Sequence, residues 1–162
     1  MRRTKLVLAG VGLLGNLAFT VPAGAATATS TLAVIATVDA TCLITAAPLA
    51  FGVYAGAQAQ ATSVLTVTCS DTTPYNVGLD AGLTSGATVT TRAMSTARGS
   101  LPYSLFSDAA RTVNWGNTVG TDTVTETGNG GPQALTVYGQ IAAGFFVVPG
   151  AYTDTITATV TY

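Results

Sequence analysis

The chain has 162 residues, room for one domain with a buried core, and carries no histidine. Its six basic and seven acidic residues make up only 8% of the sequence, so no cationic stripe for nucleic acid or an anionic membrane exists. With histidine absent, Ser-His-Asp and Cys-His nucleophile pairs are excluded as well.

The first segment, "MRRTKLVLAGVGLLGNLAFTVPAGA", has a basic start (Arg2, Arg3, Lys5), an apolar middle from Leu6 to Val21 and a small-residue exit. That layout predicts a secretory signal peptide over residues 1–25, cleaved after Ala25. A membrane anchor fits less well, because the run is short for a span of roughly 20 residues and contains Asn16. Arg2-Arg3 alone does not make a twin-arginine signal, so general secretion is the reading. Beyond residue 25 there is no lysine, and Arg92, Arg98 and Arg111 face seven carboxylates, a net charge of −4.

After a flexible "AATATS" comes "TLAVIATVDA", predicted as a first strand. Leu32, Val34, Ala36, Val38 and Ala40 share one face of it, and Thr31, Ala33, Ile35, Thr37 and Asp39 the other. Cys42 and Cys69 both lie in the exported part, where two cysteines form one disulfide most simply. The loop they would close is worth ~3.5 kcal/mol in the entropic account. Two isolated thiols without histidine do not make a metal site, and no cofactor motif is present.

"LITAAPLAFGVY" is interrupted by Pro48 and Gly52 and reads as a broken or edge segment. "SVLTVTCS" alternates cleanly, and after the turn "DTTP" the stretch "YNVGLDAG" resumes a strand. Residues 82–100 are rich in Gly, Ser and Thr and are predicted to be a surface excursion. "LPYSLFS" is a strand, residues 116–133 a polar glycine-rich loop, and "ALTVYGQI" another strand. "GAYTDTITATVTY" ends the sequence with threonine at every odd position from Thr153 to Thr161. The pattern predicts a strand with Tyr152, Ile156, Val160 and Tyr162 on its buried side and nothing following in sequence to pair with it.

About seven strand-like runs and no convincing helix make this an all-β chain, with a β-sandwich as its natural architecture. Asp71, Asp80, Asp108, Asp122, Glu126 and Asp154 could supply a hydrolytic carboxylate pair, but their scatter over turns and loops favours turn-forming and solvated roles. Trp115 and the tyrosines could stack on sugars; core and sheet-edge packing is the favoured reading. No enzyme, catalytic residue or small-molecule substrate is expected.

Taken together, Cys42, "FGVY" (Phe51–Tyr54), the cysteine of "TVTCS", "YSLFSDAAR…WGN" and "VYGQI…PGAYTDTITATVTY" resemble the spore coat protein U domain family. That family includes subunits of archaic (Csu-type) chaperone–usher pili. The resemblance implies an immunoglobulin-like β-sandwich that lacks its last strand, the missing strand being supplied in trans. It implies a donor segment at 26–41 (Leu32, Val34, Ala36, Val38), an incomplete sandwich at 42–162, and an acceptor edge at Tyr152, Ile156, Val160 and Tyr162. The implied partners are a periplasmic pilus chaperone, an outer-membrane usher and neighbouring pilus subunits, and the implied location is the cell surface. Binding of this kind is strand addition to an open sheet edge, of which donor-strand complementation between chaperone and pilin is a standing example. A chaperone would hold the Tyr162 carboxylate through basic residues. Phe145 and Phe146 could cap the groove or simply pack. A complete sandwich, in which 32–38 pairs with the chain's own last strand, is the alternative on topology alone. In function the alternatives are a stand-alone carbohydrate- or surface-binding module and a spore or cyst coat protein.

Overall fold

A computed structural model of the chain describes residues 24–162; the predicted signal peptide lies almost wholly outside the described residues. The chain divides into two compact units, one ending at Ala36 and the other running from Thr37 to Tyr162. Residues 24–41 belong to no strand, although 31–40 has strand periodicity. An amphipathic run forms a strand only where another strand takes up its backbone groups.

The second unit is all-β. Its strands are β1 (Cys42–Ala46), β2 (Ala59–Cys69), β3 (Pro74–Leu79), β4 (Arg92–Thr96), β5 (Gly99–Phe106), β6 (Val124–Thr127), β7 (Pro132–Ile141) and β8 (Ala158–Thr161). They form a five-stranded sheet, β1-β2-β7-β5-β4, and a three-stranded sheet, β6-β3-β8. Each named strand pair is antiparallel, and β2 and β7 run side by side from Ala59↔Ile141 to Thr68↔Pro132.

Inward-facing residues of both sheets make the core, among them Leu65, Val67, Tyr75, Val77, Leu101, Val137 and Ile141. Trp115 is 1% exposed, and its indole N–H donates to the Val77 carbonyl at 2.8 Å. A sugar platform needs an open ring face, so the stacking reading of Trp115 is wrong and the packing reading right. Cys42 and Cys69 sit directly opposite each other at the end of the β1–β2 ladder and form the disulfide.

Two stretches depart from the sequence reading. The excursion at 82–100 contains β4 and the start of β5, and the loop at 116–133 contains β6 and the start of β7. Both β4 and β6 are short and polar, so neither shows an apolar alternation; each is a strand because a neighbour offers it a ladder. The terminal strand is correspondingly shorter than predicted. Only Ala158–Thr161 pairs continuously, while Thr153 makes a single bridge to Ser95 of β4.

Candidate functional site

The terminal segment keeps its alternation even where it leaves the ladder. Tyr152, Asp154, Ile156, Ala158 and Val160 are half-buried, while the threonines between them are exposed. At Thr153 the N–H and C=O both bond to Ser95, and the Thr157 carbonyl accepts from the Asp80 N–H at 3.1 Å. Odd positions therefore direct their backbone groups toward the body of the domain. In an antiparallel strand the even positions then point theirs the opposite way. There β8 is the edge of its sheet, and Asp154 and Ile156 have no backbone hydrogen bond among the described residues.

Beside this edge runs an apolar groove. One wall is the segment from Ala46 to Phe51 that continues β1, the other is Tyr152–Ala158, and Leu65, Leu79, Leu105 and Val137 form the floor. Its cavity measures about 470 Å³, and a further cavity of about 670 Å³ continues it past Val53 and Val148. Pro48 and Gly52 keep the first wall out of the β2 ladder after the Ala47 N–H has bonded the Val64 carbonyl. Leu49 and Phe51 can then fold over the sheet because position 139 is glycine; a Cβ there would lie 2.9 Å from both. The Phe51 ring meets Tyr103 edge to face, with centroids 6.2 Å apart.

Polar anchors fix the second wall. The Asp154 carboxylate accepts from the Leu83 N–H at 2.8 Å, the Thr155 N–H at 2.9 Å and the Tyr103 hydroxyl at 2.6 Å. Desolvation, with the Asp154 bond second, drives the Tyr103 hydroxyl's pKa well up and keeps it a neutral donor. Gly82 has φ +83° and lies so close to Asp154 that a Cβ would collide with the carboxylate. Asp80 accepts from the Gly82 and Thr157 N–H groups. Burial pushes the Asp80 carboxyl upward, but those bonds and the Arg92 charge outweigh it and hold the group below its ordinary value. Arg92, with 0% exposure, donates to the carbonyls of Leu79, Asp80, Val89 and Trp115. Its pKa is lowered by desolvation, against the opposing pull of neighbouring acids.

The predicted acceptor residues Tyr152 and Ile156 line this groove, and Val160 continues the same half-buried row in β8. Tyr162 lies beyond the strand and is 58% exposed. Leu32, Val34 and Val38 are 87–88% exposed, and Ala36 is exposed too. Phe145 and Phe146 line neither groove cavity; Phe146 stands against Gly56, and the Phe145 N–H donates to the Tyr54 hydroxyl. Sequence reasoning gave Asp80 and Asp154 turn-forming or solvated roles with the other scattered carboxylates and did not single out Arg92 or Tyr103. For Asp154 a signal existed, since its even number puts it on the inward row. Among the described residues no three acidic or thiol groups gather as a metal site would require.

A two-sheet β-sandwich left open along one edge beside an apolar groove is the class that this fold and site define. Its sequence matches the Spore Coat Protein U domain over residues 28–159, and the chain belongs to that family. It is 34% identical to Protein U of Myxococcus xanthus over 180 aligned residues, a match covering 100% of both chains. The fold is similar to a chain in the CsuC–CsuE chaperone–tip adhesion subunit pre-assembly complex from archaic chaperone–usher Csu pili of Acinetobacter baumannii. The TM-score is 0.55 at 24% identity, covering 78% of this chain and 40% of that one.

Proposed function

We propose that this protein is a structural subunit of a secreted surface fibre, assembled by chaperone-assisted donor-strand exchange and serving adhesion or biofilm formation. The open backbone edge of the terminal segment beside an apolar groove carries the reading. An unpaired edge over exposed apolar surface invites aggregation, so it calls for a strand from another molecule. The exposed row Leu32, Val34, Ala36 and Val38 supplies apolar side chains at the required spacing of two. The fold relation to a chain of a chaperone–subunit complex supports a periplasmic chaperone as first occupant, with an usher and neighbouring subunits following. Export by the signal at 1–25 is part of the same reading, as is a role without catalysis. A spore-coat role is the second reading, favoured by family membership, and it would use the same groove.

Periplasmic expression with and without a pilus chaperone tests this, comparing the chain with a version lacking residues 26–38. The expected result is chaperone-dependent accumulation and SDS-resistant ladders that collapse on boiling, with the truncated chain held as a chaperone-bound monomer. A soluble full-length monomer that never ladders would falsify strand exchange.

A further inference from the structure

We propose that the groove's final occupant is residues 32–38 of a second copy of this chain, antiparallel to the terminal segment and in one register, with Ala36 opposite Asp154. The assignment rests on the strand-exchange reading and adds the identity and the alignment of the partner.

The backbone restricts the register first. Even positions of the terminal segment present their N–H and C=O groups to the open edge, and their side chains form the inward row. A donor with its apolar row turned inward must therefore set even residues against even residues, so alternative registers differ by two. The side chains then choose among them. Along the wall the inward row is Tyr152, Asp154, Ile156 and Ala158. Asp154 is the polar interruption, and its carboxylate is already bonded by Tyr103, Leu83 and Thr155. A bulky apolar side chain pressed onto it would strip the remaining water and return no hydrogen bond. A methyl group leaves that shell intact, which only Ala36 and Ala40 of this face offer. Ala40 at that place would set Cys42 against Tyr152, yet Cys42 is held in its own β1–β2 ladder and disulfide, so Ala36 is the residue that fits.

With Ala36 at Asp154, Val38 meets Tyr152, Val34 meets Ile156 and Leu32 meets Ala158. The largest donor side chain thus faces the smallest wall residue, as interdigitated packing favours. A shift by two places Val34 or Val38 on the carboxylate. The parallel alignment that keeps Ala36 at Asp154 sends Leu32 to exposed Gly150 and leaves the half-buried Ala158 without it. The same chain carries both halves of this match.

Chains with one added cysteine at an exposed, odd-numbered position test it without disturbing the inward contacts, and both native cysteines are engaged in their own disulfide. One tagged copy carries Ile35→Cys and the other Thr153→Cys, Thr155→Cys or Thr157→Cys, both exported with a pilus chaperone and oxidised after assembly. The proposal expects a cross-link between copies through Thr155→Cys. Positions two residues away fall outside disulfide reach, since Cα atoms more than about 7 Å apart cannot bridge. Ala36→Leu should lower the yield of heat-sensitive ladders by roughly tenfold, as an overpacked site does, while Ala36→Ser should retain them. Cross-linking through Thr153→Cys or Thr157→Cys, with ladders intact, overturns the register and leaves strand exchange standing. Ladders that form only when a different subunit is added overturn the second copy as partner. Absence of ladders with every subunit supplied overturns strand exchange itself, and this proposal with it.

Discussion

Strand β7 and the terminal segment 152–161 carry the same kind of sequence, alternating apolar and polar residues, and reach different states. β7 is paired on both edges, to β2 and β5, and its inward Val137 and Ile141 are 5% and 1% exposed. The terminal segment is paired on one edge, and its inward Tyr152, Ile156 and Val160 stop half-buried. Alternation fixes which face turns inward. Whether that face is sealed depends on a neighbour strand, and at the terminal segment the chain's second unit provides none among the described residues.

The sealed half should break hardest. Replacing Arg92 with methionine leaves two buried and two part-buried carbonyls without their donor and is expected to cost about 4 kcal/mol or more, read from guanidinium chloride unfolding. A loss under about 1 kcal/mol would mean that water replaces the guanidinium and that this half is less closed than it looks.

A matched pair of truncations sharpens the contrast next. Leu79→Ala, at a site 1% exposed, should cost roughly 2–5 kcal/mol in monomer and assembled chain alike. Ile156→Ala should cost about 1 kcal/mol in the monomer, where the side chain borders open space, and approach the buried range once a strand covers it. Equal losses at Ile156 in the two states would show that the groove is already closed in the monomer.

Acid should loosen the terminal segment through Asp80. A carboxyl whose pKa falls on folding stabilises the fold above its unfolded value, about 3.9, and that contribution fades as pH drops through the folded value. Unfolding followed from pH 6 to pH 3 should therefore show a decline that is shallower in Asp80→Asn. That variant should also be less stable at pH 6, where the ionised carboxylate otherwise holds the Thr157 and Gly82 N–H groups. Identical pH profiles would remove Asp80 as an anchor.

Tyr75→Phe should have the smallest effect. Its hydroxyl is buried with no hydrogen-bond partner among the described residues, so its removal should leave stability unchanged or raise it by about 1 kcal/mol in thermal or denaturant unfolding. A clear loss would point to a water bonded there.

The sequence by itself determined the all-β class, the disulfide between Cys42 and Cys69, and the inward faces of β2 and the terminal segment. Those properties follow from short-range chemistry: a period of two, turn residues, and a single pair of thiols with no histidine to share a metal. Tertiary structure alone decided that Arg92–Thr96 and Val124–Thr127 are strands, because a polar run becomes a strand only when a neighbour offers a ladder. It also decided that Trp115 and Arg92 are core residues and that Asp154 joins Tyr103 and Leu83 in the groove wall. The groove itself depends on which two strands end up as edges. That is a property of sheet order, set by pairings between residues far apart in the chain, and no local pattern encodes it.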